Sequence, residues 1–500
     1  MPATKLWSTT ESGRVDTKRL SRPLLQWLVD HLSWVIAAGM FAVFAGYSWI
    51  QHAQFRTSGY DLGLADQVLT HYARFQPPYA ALAGPRFNML GDHFSPIVAT
   101  LTPLYWIWSD PRMLLLAQAL LVALSIPVVH RFIARHLGPG PAPWLTIGYA
   151  LSWPLQAMIA FDFHEVAFAV PLIALAIDSL DRRDDRTLLL CCLGLVLVKE
   201  DMGLLVVTLG VLRILLSRPR RMGVVVCLVG VVGYLVATAV VLPALGPSGG
   251  VNHWSYDSLG PDLPGALSFI GRHPIRALDL FFWSPPVKSA TLLALLGPLL
   301  LLPLRSPYVL AAAPLLAERF FSSRETLWGP FFHYSAPVWP ILFLAAVDGA
   351  RRLHQGGHRM IPRMLAVSVL LLAVVGTATT STLFPFHRLV DGESFRTTPK
   401  MISQRTAIEA IPAHSCVAAD DRLTPHLTQT NLVSNPGRLG RPADFIALDL
   451  SHPIVAEKGP KPRAVQRQAV ADGYQLVLSS GPMVVYRSPS YRGPTDGCRP

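Results

Sequence analysis

Long apolar runs, separated by short basic stretches, dominate the chain. Residues 33–50, 222–242 and 364–379 carry almost no charge. Each run approaches the roughly 20 apolar residues that are needed to cross about 30 Å of hydrocarbon. Because so many runs of this kind occur in one chain, the pattern predicts an all-α polytopic membrane domain.

The distribution of lysine and arginine gives the expected orientation, since these residues are enriched in cytoplasmic loops. Residues 96–108 are short and aromatic and end just before Pro111, which predicts an interfacial or re-entrant segment. Residues 187–216 are divided into two spans, with a charged triplet at their outer turn. The N-terminus is then cytoplasmic, and the chain has about eleven transmembrane helices: 33–50, 113–132, 144–160, 166–180, two in 187–216, 222–242, 287–304, 308–321, 335–347 and 364–380.

The pattern changes after the last span. Apolar runs shorten to strand length at 416–419, 445–450, 474–478 and 483–486, and residues 401–411 and 464–471 have the period of amphipathic helices. We therefore predict three parts: a cytoplasmic tail (1–32), a transmembrane domain (33–383) and a small extracytoplasmic α/β domain (384–500). Cys416 and Cys498 both lie in the last part, where a disulfide between them is one alternative and two free thiols the other.

Composition agrees with a membrane protein and argues against a nucleic-acid-binding protein. Only 15% of the residues are charged, whereas about a quarter is usual in soluble proteins. The net charge of +12 could suggest nucleic acid as a partner. The basic residues nevertheless form no patch interleaved with aromatic side chains, so we expect no nucleic-acid binding.

Four polar clusters fall on the predicted outer side of the membrane. Such residues are costly at membrane depth and usually face a cavity. Oxygen and imidazole donors from the second and third clusters together could bind a divalent metal such as Mg²⁺ or Mn²⁺. The alternative for each residue is an ordinary polar position at the membrane boundary. The clusters contain Asp61 and Asp66; Asp92 and His93; His164 and Glu165; and Lys199, Glu200 and Asp201.

Two further outer segments carry candidate ligand-binding groups. Arg319 could bind a phosphate as a bidentate donor or be a snorkelling arginine, and His333 with Tyr334 follows it. Residues 252–257 are rich in aromatic and polar groups, as in sugar-binding loops or an interfacial aromatic belt. No phosphate-binding loop of the nucleotide-binding type is present.

These motifs resemble a family of polytopic membrane proteins catalogued as domain of unknown function 2079. The resemblance rests on residues 60–67, 91–96, 161–165 and 199–201 in this order, with His333 and Tyr334 later. That family in turn resembles the GT-C glycosyltransferases, which take a sugar from a polyprenyl-phosphate donor on the outer side.

The resemblance implies specific roles for some residues. It suggests a catalytic base at Asp61, with Asp66 as the competing choice, in the first outer loop. Lys199, Arg319 or a metal would then stabilise the leaving phosphate. The donor set Asp92, His93, His164 and Glu165 has no counterpart in better-known GT-C patterns, so metal dependence stays open.

The leading hypothesis is therefore a glycosyltransferase in the plasma membrane of a prokaryote. It would act in contact with membrane lipid and transfer a sugar from a polyprenyl-phosphate donor to an envelope glycan, lipid or protein. One alternative is a transporter or flippase that uses the same buried charges as a relay. Another is a non-catalytic assembly protein that binds its partner through the outer domain.

Overall fold

The helical part of the protein consists of many helices, several of them short and joined by helical turns, rather than a bundle of long continuous helices. The computed structural model describes residues 22–247, 254–379, 382–451 and 461–500. Most of the predicted tail, and residues 252 and 253 of the predicted aromatic loop, lie outside these ranges. The described helices are α1 (Arg22–Ala53), α2 (Leu64–Ala73), α3 (Thr102–Ile107), α4 (Pro111–Leu137), α5 (Ala142–Ala150), α6 (Trp153–Ala160), α7 (Ala169–Arg182), α8 (Asp185–Leu195), α9 (Met202–Leu216), α10 (Arg221–Leu235), α11 (Leu242–Leu245), α12 (Leu263–Arg272), α13 (Pro274–Phe282), α14 (Val287–Leu296), α15 (Ala313–Phe321), α16 (Glu325–Trp328), α17 (Val338–Gln355), α18 (Ile361–Ala378), α19 (His387–Val390), α20 (Pro399–Glu409) and α21 (Pro462–Ala471).

Short helical turns connect several of these helices. Two are π-helical turns, Gly59–Gly63 and Val236–Val241, and the second joins α10 to α11 without a break. The 3-10 turns are Met89–Gly91, Pro96–Leu101, Glu165–Ala167, Leu302–Arg305, Pro307–Ala312, His333–Ser335, Glu393–Phe395, Thr424–His426 and Asp496–Cys498.

Four helices in the described ranges are long and apolar enough to cross a bilayer. They are His31–Ala53, Pro111–Leu137, Arg221–Leu245 and Ile361–Ala378. The chain is thus a helical membrane protein, while the predicted number of about eleven spans stays a prediction.

Several of the predicted spans are divided in the structure. The segment predicted as 144–160 consists of α5 and α6, because the chain turns at residues 151–152 before α6 begins at Trp153, with Pro154 in its first turn. The predicted break inside 187–216 is present, since α8 ends before Lys199 and α9 starts after Asp201. A span interrupted by charged residues is therefore two short helices with a polar turn between them.

Helix α17 forms the centre of the helical part. Every residue from Val338 to Ala350 is buried, including Trp339 and Phe343, and the helix packs against α4, α7 and α18. A helix that is apolar on all sides is expected at the core of a bundle. At its far end, Asp348 accepts hydrogen bonds from Ser306, Arg351 and Arg352, which compensates the buried carboxylate.

The C-terminal part is an α/β unit with a five-stranded sheet. Its strands are β1 (Cys416–Ala419), β2 (Leu432–Ser434), β3 (Phe445–Asp449), β4 (Gln475–Ser480) and β5 (Met483–Arg487), in the spatial order β2-β1-β3-β5-β4. Strands β1, β2 and β3 are parallel, and β5 is antiparallel to both β3 and β4. The carboxyl ends of β1 and β2 therefore lie at the same edge of the sheet.

A disulfide between Cys416 and Cys498 closes the end of the chain onto β1. In the same C-terminal segment, Tyr491 packs against Phe445, with 4.9 Å between ring centroids. Of the two alternatives left open by the sequence, the structure has the paired cysteines.

The α/β unit contacts the first loop of the helical part through several hydrogen bonds. The Gln67 amide donates to the carbonyl of Val433 at 2.8 Å, and the Ser434 hydroxyl donates to the carbonyl of Ala81 at 2.8 Å. The Gly59 N–H donates to the carbonyl of Asp421 at 2.9 Å. These contacts place the edge that carries the ends of β1 and β2 over the loop containing Asp61.

Candidate functional site

A large cavity lies between the helical part and the α/β unit. Its volume is about 1200 Å³. All four polar clusters of the sequence contribute to its wall. The predicted site residues that line it are Asp61, Asp92, His93, His164, Glu165, Lys199, Glu200, His333 and Tyr334.

Asp61 lies in the π-helical turn Gly59–Gly63, which the α/β unit holds in place. The Asp421 carboxylate accepts a hydrogen bond from the Tyr60 N–H at 3.0 Å and from the Ser58 hydroxyl at 3.3 Å. A Cβ atom on Gly59 would lie 2.7 Å from the side chain of Thr424. The close approach at Gly59 therefore lets the turn that carries Asp61 reach the α/β unit.

His164 is the immediate partner of Asp61. Its Nε2 lies 3.4 Å from the Asp61 Oδ1, and its ring stacks on His333 with 3.7 Å between centroids. Phe161 stacks on both imidazoles. This arrangement fixes the ring plane of His164 and directs one nitrogen at the carboxylate.

The two stacked histidines differ in their affinity for a proton. Burial alone would lower the pKa of His164, but the neighbouring Asp61 carboxylate raises it above the usual value for histidine. Burial, together with the charge of His164, lowers the pKa of His333 well below that value. The pair therefore holds its positive charge on the ring next to Asp61.

His93 and Glu200 form a second pair on the cavity wall. The Glu200 carboxylate lies 3.2 Å from the His93 Nδ1 and accepts a hydrogen bond from the Phe94 N–H at 3.0 Å. Burial would lower the pKa of His93, but the hydrogen bond and charge of Glu200 raise it to about 9. Asp92 adds a second carboxylate 3.8 Å from the same ring.

Lys199 brings a cationic group to the cavity. Its Nζ lies 3.3 Å from Asp201 and 3.6 Å from Glu318. Burial would lower the pKa of Lys199, but the surrounding carboxylates raise it well above its usual value. Lys199 therefore keeps its positive charge on the cavity wall, in contact with the Asp201 and Glu318 carboxylates.

Three predicted site residues lie outside the cavity lining. Asp66 is fully buried and accepts hydrogen bonds from the Tyr105 hydroxyl at 2.6 Å and the Gln429 amide at 2.7 Å. Burial raises its pKa to about 6. Arg319 is also buried and donates to the carbonyls of Leu327 and Tyr334. Asp201 contacts Lys199, which lines the cavity. These three residues therefore contribute to the packing around the site.

The predicted metal ligands divide into separate pairs. His164 faces Asp61, while Asp92 and Glu200 face His93. Within the described part of the chain, only Cys416, Asp444 and Cys498 form a group of three or more metal-binding residue types with donor atoms within 4.8 Å of each other. That group contains the disulfide. As arranged, Asp92, His93, His164 and Glu165 do not converge on one metal position.

The structure adds cavity residues that the sequence reasoning did not select. Asp162 lies next to Asp61 and is 4% exposed. Asp420 and Asn435 directly follow β1 and β2, and Arg438 lies 5.6 Å from the ring of Tyr60. Polar residues directly after parallel strands often indicate a ligand-binding edge of a sheet. Asp420 and Asp421 directly follow the predicted strand 416–419, so the sequence contained this indication.

Comparison with known proteins agrees with this architecture. The chain is similar to two structures of ArnT from Cupriavidus metallidurans, one bound to undecaprenyl phosphate and one in the apo state. The TM-scores are 0.53 and 0.52, and the sequence identities are 15% and 13%. In both cases the similarity covers 92% of this chain and 99% of the other. It shows a shared fold.

Sequence comparison then gives the family. Among curated proteins, none matches this chain. The family model described as "Predicted membrane protein (DUF2079)" matches residues 51–469, which is most of the sequence, and the chain therefore belongs to this family.

Proposed function

We propose that the protein is a GT-C-type glycosyltransferase that moves a sugar from a polyprenyl-phosphate donor to an acceptor of the cell envelope. The observation that carries the proposal is the placement of Asp61 on the wall of a large cavity, 3.4 Å from the half-buried His164. An ArnT-like fold supports it, since one of the ArnT structures holds undecaprenyl phosphate. We further propose that the cavity opens on the extracytoplasmic side.

In the proposed reaction, the Asp61 carboxylate accepts the proton of the acceptor hydroxyl. The oxygen then forms a bond to the anomeric carbon of the sugar, and the bond from that carbon to the phosphate oxygen breaks. The lipid phosphate leaves with the electron pair of the broken bond. His164, beside Asp61, holds the carboxylate in one orientation and keeps its charge stabilised.

The leaving phosphate requires a positive partner, and Lys199 is the candidate. Its ammonium lies on the same cavity as Asp61 and stays charged because of its carboxylate neighbours. A fixed cation at a developing negative charge lowers the barrier of a transfer reaction. Metal binding by Asp92, His93, His164 and Glu165 stays a prediction that dialysis against Mn²⁺ tests, and no step above depends on it.

Two walls of the cavity differ in origin, which suggests how two substrates would enter. The helical wall belongs to the part that spans the membrane, and we propose that a polyprenyl chain approaches from this side. The opposite wall is formed by the edge of the α/β unit, with Asp420, Asn435 and Arg438. We therefore expect the acceptor on that side of Asp61.

The test replaces Asp61 with asparagine, which keeps the shape and removes the base. Variants are expressed in a strain lacking the gene, and lipid-linked sugars and envelope glycans are quantified by mass spectrometry. The expected result is a 10²–10⁴-fold slower transfer, with accumulation of the polyprenyl-phosphate sugar. Asp472→Asn, on the exposed end of α21, is the matched control.

Other outcomes identify the alternative functions. Unchanged glycans in Asp61→Asn at normal protein levels would remove the proposed base. If the variant instead stopped the appearance of a lipid-linked sugar on the outer leaflet, a flippase would be indicated. If only deletion of the α/β unit had an effect, the protein would be an assembly factor.

A further inference from the structure

A second, smaller pocket lies where the first membrane helix ends and the α/β unit begins. It has a volume of about 240 Å³. Gln54, Phe55 and Arg56 form one side and directly follow the last residue of α1. Since α1 is long and apolar enough to span a bilayer, its end marks the level of the lipid headgroups.

The lining of this pocket is strongly basic. Four cationic side chains contribute to it: Arg56, Arg396, Lys400 and Arg422. Among the described residues, neither aspartate nor glutamate lines it. One of the four charges is compensated behind the wall, since the Lys400 Nζ lies 2.6 Å from the buried carboxylate of Asp449. The Arg422 guanidinium donates to the carbonyl of Arg56, while Arg396 is exposed and its charge favours an anion.

The helix α20 adds to this preference. Its N-terminus opens on the pocket, with Thr398 as the N-cap and Lys400 in the first turn. The partial positive charge at the start of a helix favours anionic groups. Gln404, one turn further and 3% exposed, supplies an amide to the same wall.

The surface around the pocket is apolar, which indicates the source of the anion. Val390 and Phe395 are each 66% exposed, and Ile402 is 58% exposed. These large side chains flank the basic pocket along the chain. Exposed apolar residues beside basic ones are typical of a surface that lies in the membrane interface. A free phosphate would gain nothing from these side chains, whereas the acyl part of a lipid would.

We propose that this pocket binds the phosphate group of an anionic membrane lipid, with Arg396 as its main outer ligand. The site is distinct from the Asp61 cavity and shares with it only the side chains of Arg56 and Arg422. The proposal does not depend on glycosyl transfer, because a lipid bound here would anchor the α/β unit to the bilayer whatever the reaction.

The experiment measures lipid binding to the purified full-length chain by native mass spectrometry. The probe is phosphatidylglycerol, and phosphatidylcholine is the zwitterionic reference. For Arg396→Glu we expect a roughly tenfold weaker affinity for phosphatidylglycerol, which corresponds to the loss of one charge-assisted hydrogen bond. Arg396→Lys should retain most of the binding. Arg467→Glu, an exposed position on α21, is the matched control for charge.

Further arms of the experiment separate the sources of phosphate. Equal losses for phosphatidylglycerol and undecaprenyl phosphate support a general lipid-phosphate site, and a loss for undecaprenyl phosphate alone assigns the site to that lipid. Binding of inorganic phosphate as tight as that of either lipid would overturn the lipid part of the proposal. Unchanged lipid binding in Arg396→Glu would overturn the site itself. Asp61→Asn should bind phosphatidylglycerol normally, so failure of this site is distinguishable from failure of the proposed function.

Discussion

Asp162 offers the sharpest test of the electrostatics around Asp61. Its Oδ2 accepts a hydrogen bond from the Ser58 N–H at 2.7 Å, while Oδ1 is buried without a partner among the described residues. Burial, reinforced by the charge of Asp61, raises the pKa of Asp162 from 3.8 to about 8. At neutral pH the folded protein therefore keeps this carboxyl group protonated.

The consequence for stability follows from the two protonation states. Below pH 4, Asp162 is protonated in both the folded and the unfolded chain, so it has no effect on the free energy of unfolding. Between pH 4 and pH 8 the unfolded chain ionises and the folded chain does not, so stability falls as the pH rises. Above pH 8 the loss is complete, at roughly 6 kcal/mol if each pKa unit contributes about 1.4 kcal/mol.

The substitution Asp162→Asn removes this dependence and little else. Asparagine has the same shape and can still accept the hydrogen bond from Ser58 through its carbonyl oxygen. Thermal unfolding in detergent, followed at pH 5 and at pH 8, should show a stabilisation by the variant that is larger at pH 8. If the difference in Tm between variant and parent were the same at both pH values, the buried neutral carboxyl group would be refuted.

Two further substitutions test the packing of the site and of the α/β unit. Gly91→Ala should destabilise the protein by about 1–3 kcal/mol and reduce transfer, because a Cβ there would lie 2.3 Å from the backbone of residues 245 and 246. Gly140→Ala, with open space around it, is the control. Equal Tm values for the two variants would contradict the close contact at Gly91. Cys498→Ser should make the C-terminal segment sensitive to protease and lower the free energy of unfolding by up to about 4.5 kcal/mol in a chain-entropy model, because the disulfide to Cys416 closes a loop of 82 residues. An unchanged proteolysis rate would contradict the role of the disulfide in holding this segment.

Local pattern was sufficient to predict most of the α/β unit. The strands at 416–419, 445–450, 474–478 and 483–486 and both helices are present close to their predicted bounds. Strand β2 was missed because it has only three residues, too few for an alternation of apolar and polar positions. The fixation of the C-terminal segment onto β1 could not be predicted, because it depends on a disulfide that sequence spacing does not determine.

The helical part was less predictable, for a physical reason. Apolar composition shows that a segment avoids water, but it does not show whether the helix is continuous. At residues 151–152 and after Leu296 the chain turns inside an apolar run, where buried packing replaces the continuous helix. Only breaks with charge, such as Lys199 to Asp201, were visible in the sequence.

The candidate site was predictable as a set of motifs but not as a set of contacts. The sequence could not separate Asp61 from Asp66, since both lie in one loop. The structure separates them, because Asp66 is enclosed by Tyr105 and Gln429 and Asp61 lines the cavity. The contribution of Asp420, Asn435 and Arg438 required the order of the strands, which depends on contacts distant in sequence.

The hydrogen bonds that the turn around Asp61 donates to Asp421 have a consequence for biosynthesis. The acid is made early in translation, while the residue that fixes its turn is made about 360 residues later. The turn can acquire its final conformation only after the α/β unit has been completed and has folded back. A nascent or truncated chain that lacks Asp421 therefore carries Asp61 without the hydrogen bonds that fix its turn.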